Sequence, residues 1–227
     1  MRNFHLFKRI YAALNKPKHR SINPISRVFG ADRGTPIDRF YINSFLHANR
    51  ALIKGVVMEI SESTYSKKFG SNITAYEVLS NTDSNPHATV IGDLADHRTL
   101  PSNKVDCFIC TQTLNFIYDY KAAVDGLHQI LNNDGVALIT VAGISQISRY
   151  DMERWGDYWR FTTLSMQKVF EDIFGEGNVT VDYYGNVFSS MSFLNGVAAE
   201  ELAESELLAK DQDYQMIITI VAKKKIS

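Results

Sequence analysis

Residues 105–141 read VDCFICTQTLNFIYDYKAAVDGLHQILNNDGVALITV, and both ends of this stretch are runs of apolar and β-branched side chains. Such short runs, bounded by polar residues, are typical of strands buried on both faces of a sheet. Between them, residues 120–131 carry apolar side chains at helical spacing and end at Asn-Asp-Gly, which stops a helix and turns the chain. The stretch therefore predicts two parallel strands, at 105–111 and 136–141, joined by a crossover helix.

The same alternation of strand and helix patterns extends in both directions along the chain. Further strands are predicted at 55–60, 73–79, 88–92, 179–184 and 214–222, and further helices at 36–52, 163–174 and 193–210. This pattern predicts a Rossmann-like, doubly wound, mostly parallel α/β sheet with helices on both faces. The last two strands are candidates for an antiparallel pair at the sheet edge. Ligands of such folds bind beyond the carboxyl ends of the strands, so the loops after the first four strands are where a site is expected.

Composition is that of an ordinary folded domain. The chain has 227 residues, of which 45% are hydrophobic and 22% charged, and its net charge is −1. The longest apolar run is too short to cross a bilayer as a helix, and we find no pattern of a secretory signal. These features predict one domain with a cytoplasmic location.

The N-terminal region is basic. All charged residues before Asp32 are lysine or arginine, and we predict a basic arm at 1–32 followed by a domain at 33–227. Apolar residues recur at helical spacing from Phe4 to Leu14, so this arm could form an amphipathic helix. Such a helix could rest on an anionic membrane surface, or it could pack on its own domain or remain a partly disordered tail. Nucleic acid is not an expected partner, since the chain has no nucleic-acid recognition motif and its net charge is −1.

The two cysteines, Cys107 and Cys110, form a C-x-x-C pattern that in other settings indicates redox or zinc chemistry. Here the pattern lies inside a predicted buried strand, and the odd offset places the two side chains on opposite faces. We therefore interpret them as two buried thiols. The six histidines show no spacing typical of metal ligands, so no metal site is expected.

Acidic and polar residues follow the predicted strands in a regular order. Glu59 comes at the end of the first strand, followed closely by Ser61, and Glu77 comes at the end of the second. Asp93 and Leu94 follow the third strand. Carboxylates accept hydrogen bonds from ribose hydroxyls and from exocyclic amines, so this order suits a nucleoside ligand. Alternatively, each acidic residue is simply solvated in a loop.

This succession resembles the class I S-adenosylmethionine-dependent methyltransferases over residues 55–142. The resemblance implies S-adenosylmethionine as cofactor, with Glu59 near its methionine end, Glu77 on the ribose and Asp93 with Leu94 around the adenine. It also implies that Ser61 and Thr111, at the ends of the first and fourth strands, belong to the same pocket.

One departure from that family is plain. Its members usually carry glycines after the first strand, where this chain has Ser61, Ser63 and Tyr65. Side chains there are expected to crowd the cofactor. The departure leaves two alternatives, an altered and weaker mode of cofactor binding or loss of the cofactor.

A second resemblance concerns residues 149–162, which read RYDMERWGDYWRFT. This segment is similar to methyltransferase-like proteins of bacterial surface-polysaccharide biosynthesis, as are residues 33–41 and 184–187. Together these matches extend over most of residues 33–223. The resemblance implies a sugar or glycan acceptor, and members of that group can also lack the glycine-rich loop.

Several side chains suit such an acceptor. Trp155, Tyr158 and Trp159 offer flat apolar faces to a sugar ring, and Asp157 and Arg160 offer polar contacts. Four residues near the predicted first helix are further candidates: Arg33, Asp38, Arg39 and Tyr41. The alternative is structural: Trp159 and Phe161 anchor the core, Arg160 pairs with a carboxylate such as Asp38, and the charged residues form a solvated helix face.

Together, the two resemblances imply methyl transfer to a hydroxyl of a sugar or surface-glycan precursor. A hydroxyl nucleophile benefits from a general base, for which Asp157 and Asp119 are candidates. A second hypothesis is a non-catalytic binding module on the same fold, which holds a glycan or a glycan-assembly enzyme. A nucleotide-dependent transferase ranks third because the chain has no phosphate-binding glycine loop.

Overall fold

The structure is a computed structural model and describes residues 21–225. The predicted amphipathic helix of the arm lies outside the described residues. The strands are β1 (Gly55–Ile60), β2 (Ile73–Ser80), β3 (Val90–Ile91), β4 (Val105–Thr111), β5 (Leu131–Ala142), β6 (Val179–Tyr184) and β7 (Ile217–Lys223). The α-helices are α1 (Ile37–Ala48), α2 (Thr64–Phe69), α3 (Tyr120–Ile130), α4 (Arg149–Met152), α5 (Thr163–Phe174), α6 (Val187–Asn195) and α7 (Glu204–Leu208).

All seven strands form one sheet in the order β3-β2-β1-β4-β5-β7-β6. Strands β1 to β5 are parallel, whereas β7 is antiparallel to both β5 and β6. The chain moves outward from β1 to β3 and then returns to β4, on the other side of β1. The predicted doubly wound, mostly parallel sheet is confirmed, and its switch point lies between β1 and β4.

Both faces of the sheet are covered, as the continuous apolar runs predict. Phe108 on β4 packs in a core with Leu127 of α3 and Phe170 of α5. On the other face, Val57 of β1 packs with Phe45 of α1. No helix within residues 21–225 combines the length and the apolar character needed to cross a membrane.

The cysteine interpretation is confirmed. Cys107 lies in the core on the α1 side of the sheet, and Cys110 lies in the core on the α3 and α5 side. Both side chains are fully buried. Burial raises the pKa of the Cys110 thiol to about 12 and raises the pKa of Cys107 as well, so neither is a thiolate at neutral pH.

Several predicted boundaries are wrong. The helix predicted at 193–210 is instead three short elements: α6, a 3-10 turn at Ala199–Glu201, and α7. Helix α6 starts earlier because Asn186 and Ser189 form a capping box, and it ends at Gly196, which is left-handed with φ +79°.

Smaller differences concern the ends of four other elements. Helix α1 stops at Ala48, short of the predicted residue 52, and a separate 3-10 turn follows it. The third strand contains only Val90 and Ile91, β5 begins at Leu131 rather than 136, and β7 begins at Ile217 rather than 214. Strand ends are set by pairing with neighbouring strands, which the sequence pattern of one strand does not show.

Candidate active site

A cavity of about 970 Å³ opens at the carboxyl ends of the parallel strands. Its walls come from the segments after β1, β2, β3, β4 and β5, together with residues between Val28 and Arg39. This is the switch point of the sheet, where ligands of doubly wound folds bind. The cavity therefore lies where the sequence predicts a site.

The turn after β1 keeps a left-handed backbone without a glycine. Ser61 has φ +66°, in a region that favours glycine, and its N–H donates to the carbonyl of Leu79 at 2.9 Å. The side-chain Nδ2 of Asn85 donates to the Ser61 carbonyl at 2.8 Å. The neighbouring strand and the loop after β2 thus hold Ser61 in the conformation that a glycine would adopt unaided.

Glu59 fixes the segment that follows this turn. Its side chain is buried and accepts hydrogen bonds from the backbone N–H groups of Tyr65 and Ser66, at 3.1 and 2.6 Å, and from the Ser66 hydroxyl. Burial raises the pKa of Glu59, although these hydrogen bonds oppose the rise. Glu59 lines the cavity, but its oxygens are engaged in holding the start of α2.

Asp93 and Leu94 form the part of the cavity wall after β3. The backbone N–H of Asp93 donates to Thr99 Oγ1 at 2.9 Å, and its Oδ1 accepts from the N–H of Ala95 at 2.9 Å. Among residues 21–225, its Oδ2 has no hydrogen-bond partner. Leu94 is buried beside it. The loop thus presents one free carboxylate oxygen next to an apolar side chain.

Glu77 does not reach the cavity, contrary to the predicted strand-end position. It lies three residues before the end of β2, about 10 Å back along the strand. Its carboxylate pairs with Lys104 at 3.0 Å and accepts from the hydroxyl of Thr89. Ser80 and Asn81 take the place at the end of β2 that the sequence interpretation gave to Glu77.

The end of β4 contributes Thr111 to the cavity, as predicted. Its carbonyl accepts from the hydroxyl of Thr113 at 3.1 Å. Gln112, between them, is left-handed with φ +49° and bonds through its N–H to the carbonyl of Thr140 on β5. This turn directs the next residues across the mouth of the cavity.

Asp157 lies in the cavity wall and is bound to Arg160. The guanidinium donates to both carboxylate oxygens at 2.5 and 2.9 Å, and the N–H of Ser148 donates to Oδ2 at 3.1 Å. The Asp157 side chain is only 1% exposed. Burial acts to raise its pKa, but the hydrogen bonds and charge of Arg160 prevail and the pKa is lowered. The predicted alternative partner of Arg160, Asp38, is therefore wrong.

The other base candidate, Asp119, is not in the cavity wall. It caps the start of α3, where its Oδ1 accepts from the N–H of Ala122 at 3.1 Å. A carboxylate in this position stabilises the helix end. Of the two predicted bases, Asp157 therefore lies in the cavity wall as part of an ion pair, whereas Asp119 lies outside it as a helix cap.

Asp38 presents a carboxylate with little else bound to it. It lies in the first turn of α1, lines the cavity, and accepts one hydrogen bond, from the N–H of Arg39 at 2.7 Å. Burial raises its pKa despite the charge of Arg39. The Arg39 guanidinium donates to the hydroxyl of Tyr65, so both charged residues face the cavity from α1.

Two other predicted acceptor contacts lie elsewhere. Tyr41 is fully buried, donates its hydroxyl proton to the carbonyl of Leu207 at 2.8 Å and stacks on Tyr184. Arg33 pairs with Glu201 at the surface and does not line the cavity. On an amphipathic helix, positions three or four apart share a face, and Tyr41 therefore follows Ile37 into the core.

The aromatic residues after β5 divide between the two roles that the sequence allowed. Trp155 and Tyr158 line the cavity and are 50% and 49% exposed. Trp159 and Phe161 pack against the core, and Trp159 Nε1 donates to the carbonyl of Tyr118 at 3.1 Å. The second pair anchors the segment, and the first pair stays free to contact a ligand.

Residues 54–139 match the family profile of a methyltransferase domain. The matched region contains β1 to β4 and most of β5, and with them the wall formed by Glu59, Asp93 and Thr111. It is less than half of the chain. No curated protein sequence matches the chain.

Solved structures agree with this architecture along most of the chain. A S-adenosylmethionine-dependent methyltransferase from Archaeoglobus fulgidus superposes with a TM-score of 0.52 at 11% identity, covering 82% of this chain and 94% of that one. The protein has a class I methyltransferase fold.

Two further solved structures with this fold belong to enzymes that differ in activity. A Burkholderia thailandensis 1,6-didemethyltoxoflavin N1-methyltransferase, solved with S-adenosylhomocysteine, has a TM-score of 0.50 at 13% identity, covering 84% of this chain and 79% of that one. The [4+2]-cyclase SpnF has a TM-score of 0.54 at 11% identity, covering 100% and 96%. At such identities the likeness shows the fold alone, and the fold does not fix the reaction.

Two cavity residues of the methyltransferase fold were missed from the sequence. Asn81 lines the cavity at the end of β2, and Asn115 lines it after β4. Asn115 is only 4% exposed, and its Oδ1 accepts no hydrogen bond from the described residues. Both residues follow predicted strands closely, and that position is the sequence signal for their place in the cavity.

Proposed function

We propose that this protein is a S-adenosylmethionine-dependent methyltransferase that acts on a hydroxyl of a small polar acceptor, a sugar or glycan precursor. The observation that carries the proposal is that a single cavity joins two unlike walls. One wall presents Asp93 and Leu94 from the strand ends, and the other presents Asp38, Trp155 and Tyr158. A nucleoside cofactor and an acceptor fit these walls respectively.

The residues after β1 to β3 suit the cofactor. Asp93 Oδ2 is a free acceptor for the adenine amino group, and Leu94 offers an apolar contact to the ring. The Asn81 side chain has both donor and acceptor atoms for ribose hydroxyls, in place of the predicted Glu77. When bound, S-adenosylmethionine supplies an electrophilic methyl group. The left-handed turn at Ser61 supports this fit because the backbone path is that of a glycine.

The other wall suits a hydroxylated acceptor. Exposed faces of Trp155 and Tyr158 are surfaces on which a sugar ring can stack, and the charged groups of Asp38 and Arg39 can bind its hydroxyls. Positioning the acceptor in the cavity is the main contribution expected from the protein, because methyl transfer depends on alignment of the reacting atoms.

Asp38 is the carboxylate best suited to take the proton from the acceptor hydroxyl. Asp157 is ion-paired and has a lowered pKa, which makes it a weak base, and Asp119 is outside the cavity. Asp38 has a raised pKa and one hydrogen-bond partner, so its oxygens remain available. A base with a higher pKa holds the transferred proton more firmly. We therefore assign the general base to Asp38.

The first test is calorimetric titration of the full chain with S-adenosylmethionine and S-adenosylhomocysteine. We expect micromolar dissociation constants, about −8 kcal/mol of binding free energy. Absence of binding at millimolar ligand would contradict the proposal. Adenosine and methionine titrated separately serve as controls that locate the affinity in the nucleoside or the amino-acid part.

The acceptor is tested by transfer of a labelled methyl group to a panel of free sugars, nucleotide sugars and lipid-linked glycans. Product formation with a hydroxylated acceptor is expected, and Trp155→Ala should raise the acceptor KM while leaving the cofactor affinity unchanged. Met152→Ala is the matched control, since Met152 is an exposed apolar residue of the same segment outside the cavity wall. Equal losses in both variants would contradict the assignment of Trp155.

A second candidate function is a non-catalytic binding module that holds a glycan or a glycan-assembly enzyme. It is favoured by Ser61 in place of a glycine and by the neutral Asn81 where a carboxylate is usual in the resembling family. Binding of a glycan without any binding of S-adenosylmethionine would support this module and exclude the methyltransferase.

A further inference from the structure

Helix α6 exposes apolar side chains to solvent and buries small polar ones, the reverse of an ordinary amphipathic helix. Its exposed side carries large apolar side chains, whose exposed fractions run from 41% to 60%: Val187, Phe188, Met191 and Leu194. These residues follow helical spacing and define one face, which we term the α6 face. Single exposed apolar residues are ordinary, but a contiguous set on one helix is typical of an interaction surface.

The buried side of the same helix is rich in small polar residues. Ser189, Ser190 and Ser192 are all buried, and only Phe193 joins a hydrophobic core. A helix that packs by burying its apolar stripe shows the opposite distribution. The α6 face is therefore unexplained by the packing of residues 21–225 and needs a partner to cover it.

The chain enters the described region beside this face. The N–H groups of Ile25 and Ser26 both donate to the carbonyl of Asn195, the last residue of α6, at 2.8 and 3.2 Å. Ile22, three residues earlier, is 97% exposed. Residues 1–20 are thus connected to the body of the protein close to the C-terminal end of the α6 face.

The segment that follows the face is acidic. Glu200 and Glu201 follow α6, and Glu204 and Glu206 belong to α7, which is bound to α6 through Asn186. Glu201 is paired with Arg33, but the set as a whole carries excess negative charge. A partner with basic residues is attracted to such a surface, whereas an anionic lipid headgroup is repelled.

We propose that the α6 face binds residues 1–20 of the same chain. That segment carries six arginine and lysine residues, and five of its apolar residues recur at helical spacing: Phe4, Phe7, Ile10, Tyr11 and Leu14. Its composition, rich in both apolar and basic residues, complements an apolar face followed by an acidic segment. The nine residues of α6 span about 14 Å.

The connection is long enough for this contact. Residues 15–24 separate Leu14 from Ile25, which is fixed at the end of α6. Ten residues can span up to about 33 Å when extended, more than twice the length of α6. The segment can therefore turn back along the helix without strain. Because the two partners share one chain, their effective concentration is high and weak contacts suffice.

Cysteine crosslinking of the full chain tests the proposal. In Phe7→Cys/Met191→Cys, we expect a short bismaleimide to join the two sites within one chain at high yield. The native thiols do not interfere, since Cys107 and Cys110 are fully buried. The matched control is Phe7→Cys/Leu164→Cys, because Leu164 is an exposed apolar residue on α5, on the opposite side of the sheet, and we expect no intrachain product.

The outcomes separate the possible occupants. Crosslinks found only between chains would overturn the proposal and indicate that a second copy covers the face. Absence of any crosslink, together with binding of the full chain to phosphatidylglycerol vesicles, would overturn it in favour of a membrane. Absence of both also overturns it. Adding Glu204→Lys/Glu206→Lys to the Phe7→Cys/Met191→Cys variant should reduce the intrachain yield severalfold if the acidic segment attracts residues 1–20.

Discussion

The two walls of the cavity are built in different ways. The wall after β1 to β3 is fixed by the sheet, and its carboxylates at Glu59 and Asp93 are tied to nearby backbone N–H groups. The other wall comes from α1 and from residues 145–160, which lie far apart in sequence. The side chains of that wall are held in place by ion pairs, such as Asp157 with Arg160, and by aromatic packing.

This difference indicates which of the two walls tolerates substitutions. A wall made from strand ends and backbone bonds tolerates few rearrangements, and it suits a ligand that does not vary. A wall made from side chains of two separate segments can be altered without disturbing the sheet. The class I fold therefore accounts for the wall to which we assign the cofactor, whereas the wall to which we assign the acceptor is built from segments outside the parallel strands.

The largest expected effect is on the acceptor wall, at Asp38. Asp38→Asn removes the proposed base, and we expect turnover of the identified acceptor to fall by about 10²–10⁴ with unchanged cofactor affinity. The folding stability of Asp38→Asn, in contrast, should rise. Because burial raises the pKa of Asp38, its ionisation destabilises the folded state as the pH rises above about 4. The variant should thus be more stable than wild type at pH 7 and similar below pH 4.

Steady-state kinetics and thermal unfolding at several pH values check both halves of this prediction. Asp38→Glu is the conservative control, and it should retain part of the activity. A variant that loses cofactor binding as well would place Asp38 on the wrong wall.

Next in size is the ion pair that holds the acceptor wall together. Arg160→Ala leaves the carboxylate of Asp157 buried without its partner, and we expect a loss of about 3–5 kcal/mol of unfolding free energy at pH 7. The lowered pKa of Asp157 means that its contribution is present above about pH 4 and lost as the pH falls through the folded-state pKa. The loss should therefore shrink in acid.

Urea denaturation at pH 7 and pH 3 measures this effect. Arg154→Ala is the control, since Arg154 lies in the same segment but donates only to the carbonyl of Tyr150 and stacks on its ring. Equal losses of unfolding free energy from the two variants would show that the ion pair with Asp157 does not stabilise the fold.

A smaller effect is expected on the cofactor wall, at Asp93. Asp93→Ala removes the free carboxylate oxygen, and we expect S-adenosylmethionine affinity to fall by about 1.5–3 kcal/mol, roughly 10- to 150-fold. Acceptor-side properties and stability should change little. Calorimetry checks the prediction, with Asp172→Ala on the exposed surface of α5 as control. Wild-type affinity in the Asp93 variant would sink the assignment of the adenine pocket.

The smallest effect is at the turn after β1. A non-glycine residue in the left-handed region costs about 1–2 kcal/mol, but glycine gives back part of this through the freedom of the unfolded chain. Ser61→Gly should therefore raise stability by under about 1 kcal/mol and tighten cofactor binding slightly. Ser63→Gly lacks the left-handed backbone and is the matched control. Weaker cofactor binding in Ser61→Gly would mean that the serine side chain is a ligand contact.

The sequence predicted the cofactor wall better than the acceptor wall, for physical reasons. Strands reveal themselves by apolar runs, and the ends of parallel strands meet at one edge, so Asp93 and Thr111 could be placed in the cavity. Glu77 was misplaced because the exact strand end depends on pairing with β1. On the acceptor side, Tyr41 and the partner of Arg160 depend on how distant segments pack, which periodicity does not encode.

The position of β7 has a consequence for synthesis on the ribosome. This strand lies between β5 and β6, yet it follows β6 along the chain by more than thirty residues. Residues 55–142 can pair as they emerge, but β6 has β7 as its neighbour and must wait for it. Until then the edge of β5 is open to other chains. The interval between the appearance of residues 142 and 223 is thus when a nascent chain is most exposed to misassembly.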